Sequence, residues 1–238
     1  MLMADRLPDE LPSEPFGVFK AWFDEARRQE ITRNPDAMTV STVDGHGRPS
    51  SRVVLCRKMN LEEGHITFFT NRQSRKGEEI AATGRVAALF HFEAFDKVVR
   101  MEGYAVESPD WESDEYFAGR AVAKRIGAWA SDQSRPIGSR DDLAEKVVES
   151  LMRFGVSLEE LEKLDETDEG RRKAAEIIPR PPHWGGYRIW PEAVELWVGN
   201  EARLHDRARY VRDLKPTTGP DGEASFEHSP WRAQRLQP

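Results

Sequence analysis

Arg203, His205 and Arg207 place two guanidiniums and an imidazole within five residues, in the run Arg203-Leu204-His205-Asp206-Arg207. If Val194 to Trp197 and Ala202 to Tyr210 are successive strands, a period of two puts these three side chains on one face and Leu204 and Asp206 on the other. Donors that converge in this way repel one another unless an anion or an electron-rich ring sits between them, which suits a phosphate or another polar ligand. The alternative is a solvated edge strand rich in charge, and the segment by itself favours that reading.

A second constellation runs from Phe68 through Phe69, Thr70, Asn71, Arg72, Gln73, Ser74, Arg75 and Lys76 to Gly77, where a strand ends and a helix opens. A helix start offers free backbone N–H groups and partial positive charge, so Arg75, Lys76 and the Thr70 hydroxyl complete a socket suited to a monophosphate. The glycine pattern of a Walker loop is absent. Solvated first-turn residues are the alternative, but cations at a helix start are unfavourable without an anion. Arg52 lies in a strongly apolar strand and needs a partner there, whereas Arg57 can end that strand in solvent. Tyr116 and Arg120, four apart, can reach one ligand or form an ordinary surface stack. Trp129, Trp184 and Trp197 read as core or interface residues, of the kind a large planar cofactor also wants nearby.

The elements that must carry these residues follow from periodicity. Phe16, Val18, Phe19, Trp22, Phe23 and Ala26 define one face of a helix from Phe16 to Glu30. Met38 to Val43 and Ser50 to Cys56 read as a hairpin around the turn from Asp44 to Pro49. Ile66 to Thr70 is a third strand, Ser74 to Ala82 a helix capped by Ser74, and Arg85 to Phe92 and Lys97 to Val106 two further strands. Trp111 to Arg120 and much of Asp141 to Glu176 are helical, joined by Ile126 to Ser131 and a polar stretch to Arg140. After the prolines around Pro181, strands resume at Gly186 to Trp190 and continue to the C-terminus, with Gly219 to Gly222 a hairpin tip. Strands at both ends, helices between them and no βαβ alternation indicate an antiparallel barrel or sandwich with attached helices. Residues 1–14 read as a flexible segment and 15–238 as a single domain.

Composition narrows the function classes. Forty-two acidic against 35 basic residues give a formal net charge of -7, which argues against general nucleic-acid binding. The one cysteine, Cys56, forms no intrachain disulfide, and no Cys/His spacing suggests a metal. No apolar stretch reaches the length of a membrane span and the N-terminus does not read as a signal peptide, so the expectation is a cytoplasmic protein.

Taken in order, these segments resemble the pyridoxine/pyridoxamine 5′-phosphate oxidase family, flavoproteins of the FMN-binding split-barrel fold. The resemblance is carried by Arg52-Val53-Val54-Leu55, Phe69-Thr70-Asn71 with Ser74-Arg75-Lys76-Gly77, Tyr116-Phe117 with Arg120, and the run from Ile126 to Ser134. It continues through Pro182-His183-Trp184-Gly185-Gly186-Tyr187, Glu195-Leu196-Trp197, Arg203 to Arg207 and Arg235-Leu236-Gln237-Pro238. It implies an antiparallel split β-barrel of Greek-key type with peripheral helices, assembled as a homodimer with FMN at the interface. By the same resemblance, Arg52, Val53, Val54, Leu55, Phe69, Thr70, Arg75 and Lys76 hold FMN from one subunit. Gln133, Ser134, Trp197 and Arg207 complete the flavin site. Tyr116 and Arg120 grip the substrate phosphate, with Arg57 and Lys124 at further substrate positions, and Arg203 and His205 face the pyridine ring as the catalytic pair. The implied reaction oxidises a phosphorylated B6 vitamer to pyridoxal 5′-phosphate, with dioxygen as acceptor. Four positions depart from the family pattern: Arg57 replaces a Lys, Val98 a Gln, Lys124 a Ser and Val198 a Gln. Because these changes fall on ring and substrate contacts, an oxidase for another small aromatic, of the phenazine-biosynthesis type, is the enzymatic alternative. A non-catalytic flavin or pyridoxal-phosphate binding protein is the other.

Overall fold

The computed structural model describes residues 6–238. In chain order the elements are α1 (Phe16–Arg28), β1 (Ala37–Val43), β2 (Pro49–Leu55), β3 (Lys58–Asn60), β4 (His65–Asn71), α2 (Arg75–Thr83), β5 (Arg85–Phe92) and β6 (Lys97–Glu107). Then come the helices α3 (Asp110–Ala118), α4 (Val122–Ala130), α5 (Arg140–Phe154), α6 (Leu158–Asp165) and α7 (Asp168–Ile177). The strands β7 (Trp184–Val198), β8 (Asp206–Val211), β9 (Leu214–Thr218), β10 (Ala224–His228) and β11 (Arg232–Leu236) complete the chain. Two compact units emerge where one domain is expected. The first comprises the residues up to Phe68, Glu79–Glu107 and Tyr187–Pro238; the second comprises Phe69–Glu78 and Ser108–Gly186.

In the first unit the strand order is β11-β8-β7-β6-β5-β1-β2, with β4 joined to β7 and β3 to β4, while β9 and β10 form a separate hairpin. The pairings of β1 with β2 and β5, of β5 with β6, and of β7 with β6 and β8 are all antiparallel, as expected. Alternation sets the faces: Met38, Val40 and Thr42 of β1 point inward and their neighbours are half-buried. Phe19 and Phe23 of α1 pack on Phe90 of β5, with ring centroids 4.8 and 6.0 Å apart. The two strand segments expected at Gly186 to Trp190 and Val194 to Trp197 are one strand of 15 residues. Its interruption in sequence, Pro191, sits at a register shift opposite Glu102 and Gly103, where a bulge accommodates a residue that cannot donate to the ladder. Of the expected flexible segment, residues 1–5 lie outside the described residues. Leu7 is buried, and its amide donates to Asp206 Oδ2 at 2.9 Å.

The second unit is mainly helical. Val122, Ile126, Leu151, Ala174 and Ile178 form its core. Ser139 with Asp142 and Ser157 with Glu160 make reciprocal capping boxes that start α5 and α6. The run Ile126 to Ser131, expected as a connection, is largely inside α4. Gly127 lowers local helix propensity, but Val122 and Ile126 fall on one face and are buried, so packing decides. The Arg125 guanidinium is fully buried and donates to the carbonyls of Arg120, Ala118 and Arg171, which ties the end of α3 to α7.

Candidate functional site

The segment joining β4 to α2 is folded by local hydrogen bonds. Asn71 Oδ1 accepts from the Gln73 amide at 2.7 Å, and the Ser74 hydroxyl donates to Asn71 O at 2.6 Å. A Cβ on Gly77 would lie 1.9 Å from Arg72 O, so only glycine lets the first turn of α2 approach so closely. This turn carries Lys76 inward. Lys76 Nζ donates to Thr70 Oγ1 at 3.0 Å, Ser74 Oγ at 2.9 Å and Gln133 Oε1 at 2.6 Å, and Thr70 Oγ1 also donates to Gln133 Oε1 at 3.0 Å. Lys76 is 7% exposed, while Arg75 next to it is open to solvent. Thus Thr70, Lys76 and Gln133 come together, and Ser134 follows in a left-handed conformation at φ 73. A buried ammonium at a helix start, ringed by hydroxyl and amide groups, is a donor set that fits the phosphate of FMN.

In the same unit, Phe69, Tyr116 and Trp184 stack in parallel. Phe69 lies 4.0 Å from Tyr116 and 5.6 Å from Trp184, with interplanar angles of 3° and 9°. The Arg120 guanidinium lies 4.6 Å over the Trp184 ring. Arg120 falls beyond the end of α3, and it shares the Trp184 ring with Tyr116, whose centroid lies 6.1 Å from it. Lys124, on α4, is exposed.

In the first unit, Arg52 has the partner its strand demands. Its Nη1 donates to Thr42 Oγ1 at 2.5 Å and its Nη2 to Glu79 Oε2 at 3.2 Å, and Ser50 Oγ donates to the same carboxylate at 2.6 Å. Glu79 is 4% exposed. Sequence reasoning missed it because nothing in the strand spacing around Arg52 points to a residue on α2. Val53 is exposed, Val54 and Leu55 are half-buried, and β2 ends the strand order. Arg57 pairs with Asp36 at 2.6 Å.

The shared strand face for Arg203, His205 and Arg207 is not formed. β8 begins only at Asp206, and Ala202 and Arg203 have positive φ of 54° and 61° in a short 3-10 turn. Left-handed backbone at two successive residues breaks the period-two alternation on which that expectation rested. Arg203 is exposed. His205 packs on Trp197 with centroids 4.6 Å apart, and its Nδ1 accepts from the Asn200 amide at 3.2 Å, which leaves the Nε2 proton in the neutral ring as a donor. Arg207 is paired with Glu195, Nε to Oε1 at 2.9 Å, and donates from Nη1 to Gln237 O at 2.8 Å. Glu195 is buried and shares a face of β7 with Trp197 two residues on. That alternation was a readable signal for it.

The chain matches the family profile described as pyridoxamine 5′-phosphate oxidase over residues 23–151, and over 184–238 that of the pyridoxine 5′-phosphate oxidase C-terminal dimerisation region. It is 40% identical over 229 residues to the pyridoxine/pyridoxamine 5′-phosphate oxidase of Paraburkholderia phytofirmans, covering 96% of this chain and 91% of that one. To the protein of the same name from Ralstonia pickettii it is 42% identical over 201 residues, 84% of each chain. Among solved structures it resembles PhzG from Burkholderia lata 383 in complex with tetrahydrophenazine-1-carboxylic acid. There the TM-score is 0.76 and the identity 31%, over 99% of both chains. A pyridoxamine 5′-phosphate oxidase-related, FMN binding protein from Nostoc punctiforme has the same fold, with TM-score 0.62 and 14% identity over 94% of this chain and 98% of that one. These likenesses bear out the split-barrel fold class, and with 40% identity across nearly the whole chain the protein belongs to the pyridoxamine 5′-phosphate oxidase family of oxidoreductases.

Proposed function

We propose that this protein is an FMN-dependent oxidase that converts pyridoxamine 5′-phosphate or pyridoxine 5′-phosphate to pyridoxal 5′-phosphate with dioxygen as acceptor, working as a homodimer. The observation that carries the reading is the buried Lys76 ammonium held by Thr70, Ser74 and Gln133 at the start of α2, in a chain of this family. Lys76, Thr70, Arg75, Gln133 and Ser134 bind the flavin, with Arg52, the β2 segment Val53-Val54-Leu55, Phe69, Trp197 and Arg207 as its further partners. FMN, when bound, supplies the hydride acceptor that dioxygen regenerates. The chain's own work is to bind and orient the substrate. Tyr116 and Arg120 hold its phosphate, with Arg57 and Lys124 as further cations, and the protein donates from Arg203 and from His205 Nε2 to the pyridine ring.

A second reading has specific support. Lys124 stands where the family carries a Ser, and the solved PhzG structure, 31% identical, holds tetrahydrophenazine-1-carboxylic acid. An oxidase acting on a reduced tricyclic carboxylate fits both facts. Aerobic turnover of the FMN-reconstituted chain separates the two. Equimolar pyridoxal 5′-phosphate and hydrogen peroxide from pyridoxamine 5′-phosphate is the result expected. Peroxide from the reduced phenazine acid, with none from either B6 vitamer, would replace the first reading with the second.

A further inference from the structure

Arg212, the residue that follows the first unit's β8, is 3% exposed. Its Nε donates to Pro191 O at 2.8 Å and its Nη2 to Gly64 O at 2.6 Å, and its guanidinium carbon lies 4.4 Å from the Trp231 ring centroid. It has no carboxylate partner, and Nη1 donates to no group, among the described residues. Burial pulls its pKa down to about 10, so it remains charged at neutral pH. Carbonyls and the Trp231 and Phe16 rings offset part of the cost of burying this cation, and a counter-charge would offset more of it.

Beside this guanidinium opens a cavity of about 360 Å³, lined also by Phe16, Leu61, Gly64, His228 and Trp231. A Cβ on Gly64 would fall 2.5 Å from Nη1, so the glycine keeps that nitrogen uncovered. Phe16 and Trp231 meet edge to face at 5.9 Å and give the cavity aromatic walls. Two acids also line it. Glu14 is already engaged, accepting from the Phe16 and Gly17 amides at 2.6 and 2.9 Å at the start of α1, and Glu62 is exposed to solvent. The charge left to be met is therefore that of Arg212.

We propose that this cavity binds a small aromatic carboxylate, with its carboxylate on Arg212 Nη1 and its ring against Phe16, Leu61 and Trp231. Nε and Nη2 are taken, so the contact is end-on, and the apolar walls select a flat ring over a free inorganic anion. All of these residues belong to one compact unit, and none is among those assigned above to flavin or B6 substrate. Such a ligand would tie the start of α1 to the β3–β4 turn and to Trp231.

The test is calorimetric titration of the full chain with 1-naphthoate, in the presence and absence of saturating FMN, beside the uncharged 1-naphthalenemethanol. Expected are one site per chain, unaffected by FMN, at least tenfold weaker binding of the alcohol, and at least tenfold weaker naphthoate binding in Trp231→Ala and in Leu61→Trp, which fills the cavity. Thermal unfolding of both variants without ligand identifies any that misfold, and the other then serves. Equal affinity for acid and alcohol, displacement by FMN, or unchanged binding in a folded variant would overturn the assignment. None of these readouts depends on turnover of a B6 vitamer, so the proposal fails or stands apart from the oxidase reading.

Discussion

Lys76 and Arg52 are two cations fixed by specific acceptors. Lys76 donates to Thr70, Ser74 and Gln133, and Arg52 faces the buried carboxylate of Glu79. Replacing Lys76 with Met keeps the stem volume but removes the charge. A charged hydrogen bond contributes about 1.5 to 3 kcal/mol, so FMN affinity, read by flavin fluorescence on titration, should fall about ten- to a hundredfold. Undiminished affinity would remove Lys76 from the flavin site. Glu79→Gln retains an acceptor but discharges a carboxylate that Thr42, Ser50 and Arg52 all address. The expected loss is about 1 to 3 kcal/mol of stability, visible as a lower urea midpoint with unchanged slope. Arg207 is a third case, paired with the buried carboxylate of Glu195 on the neighbouring strand, which also meets Arg100.

The elements were legible where periodicity and turn residues agreed. The hairpin of β1 and β2, the strand Arg85–Phe92 and the β9–β10 hairpin around Gly219 to Gly222 fall where alternation and glycines place them. The α4 helix and the continuous β7 strand did not, because Gly127 and Pro191 are breakers by local rule, and burial in one case and a bulge in the other override it. The candidate site was legible along the Phe69 to Lys76 segment, where strand end, helix start and cations lie together in sequence. It was not legible at Arg203, because two successive left-handed residues cannot be read from Ala202 and Arg203. The α4 exception yields a prediction of its own. Nothing lies within 4 Å of a Cβ built on Gly127, so Gly127→Ala should stabilise the protein by about 0.5 to 1 kcal/mol through helix propensity. A higher melting temperature checks it, and a lower one would mean that the glycine serves close packing.

At the scale of the whole molecule, acid sensitivity has an identifiable origin in His65. Its ring is buried against Trp190, with centroids 4.7 Å apart, and Nε2 meets Glu63 Oε2 at 2.9 Å while Nδ1 has no hydrogen-bond partner among the described residues. Burial first, and then the neighbouring Arg188, push its pKa down to about 4, although Glu63 acts in the opposite direction. The folded protein therefore keeps this ring neutral, and between about pH 6.5 and pH 4 the unfolded chain binds more protons than the folded one. Stability from this group is complete above pH 6.5 and is lost as the pH falls towards 4, at up to about 1.4 kcal/mol per pH unit. Denaturant unfolding of the wild type and of His65→Gln at pH 7 and pH 5 measures it. The wild type should lose more stability than the variant over that interval, because the amide does not titrate. Parallel losses would place the acid sensitivity of that interval in other groups, and not in Glu102, whose carboxyl is held below its usual range by hydrogen bonding to Arg209 and titrates only at lower pH.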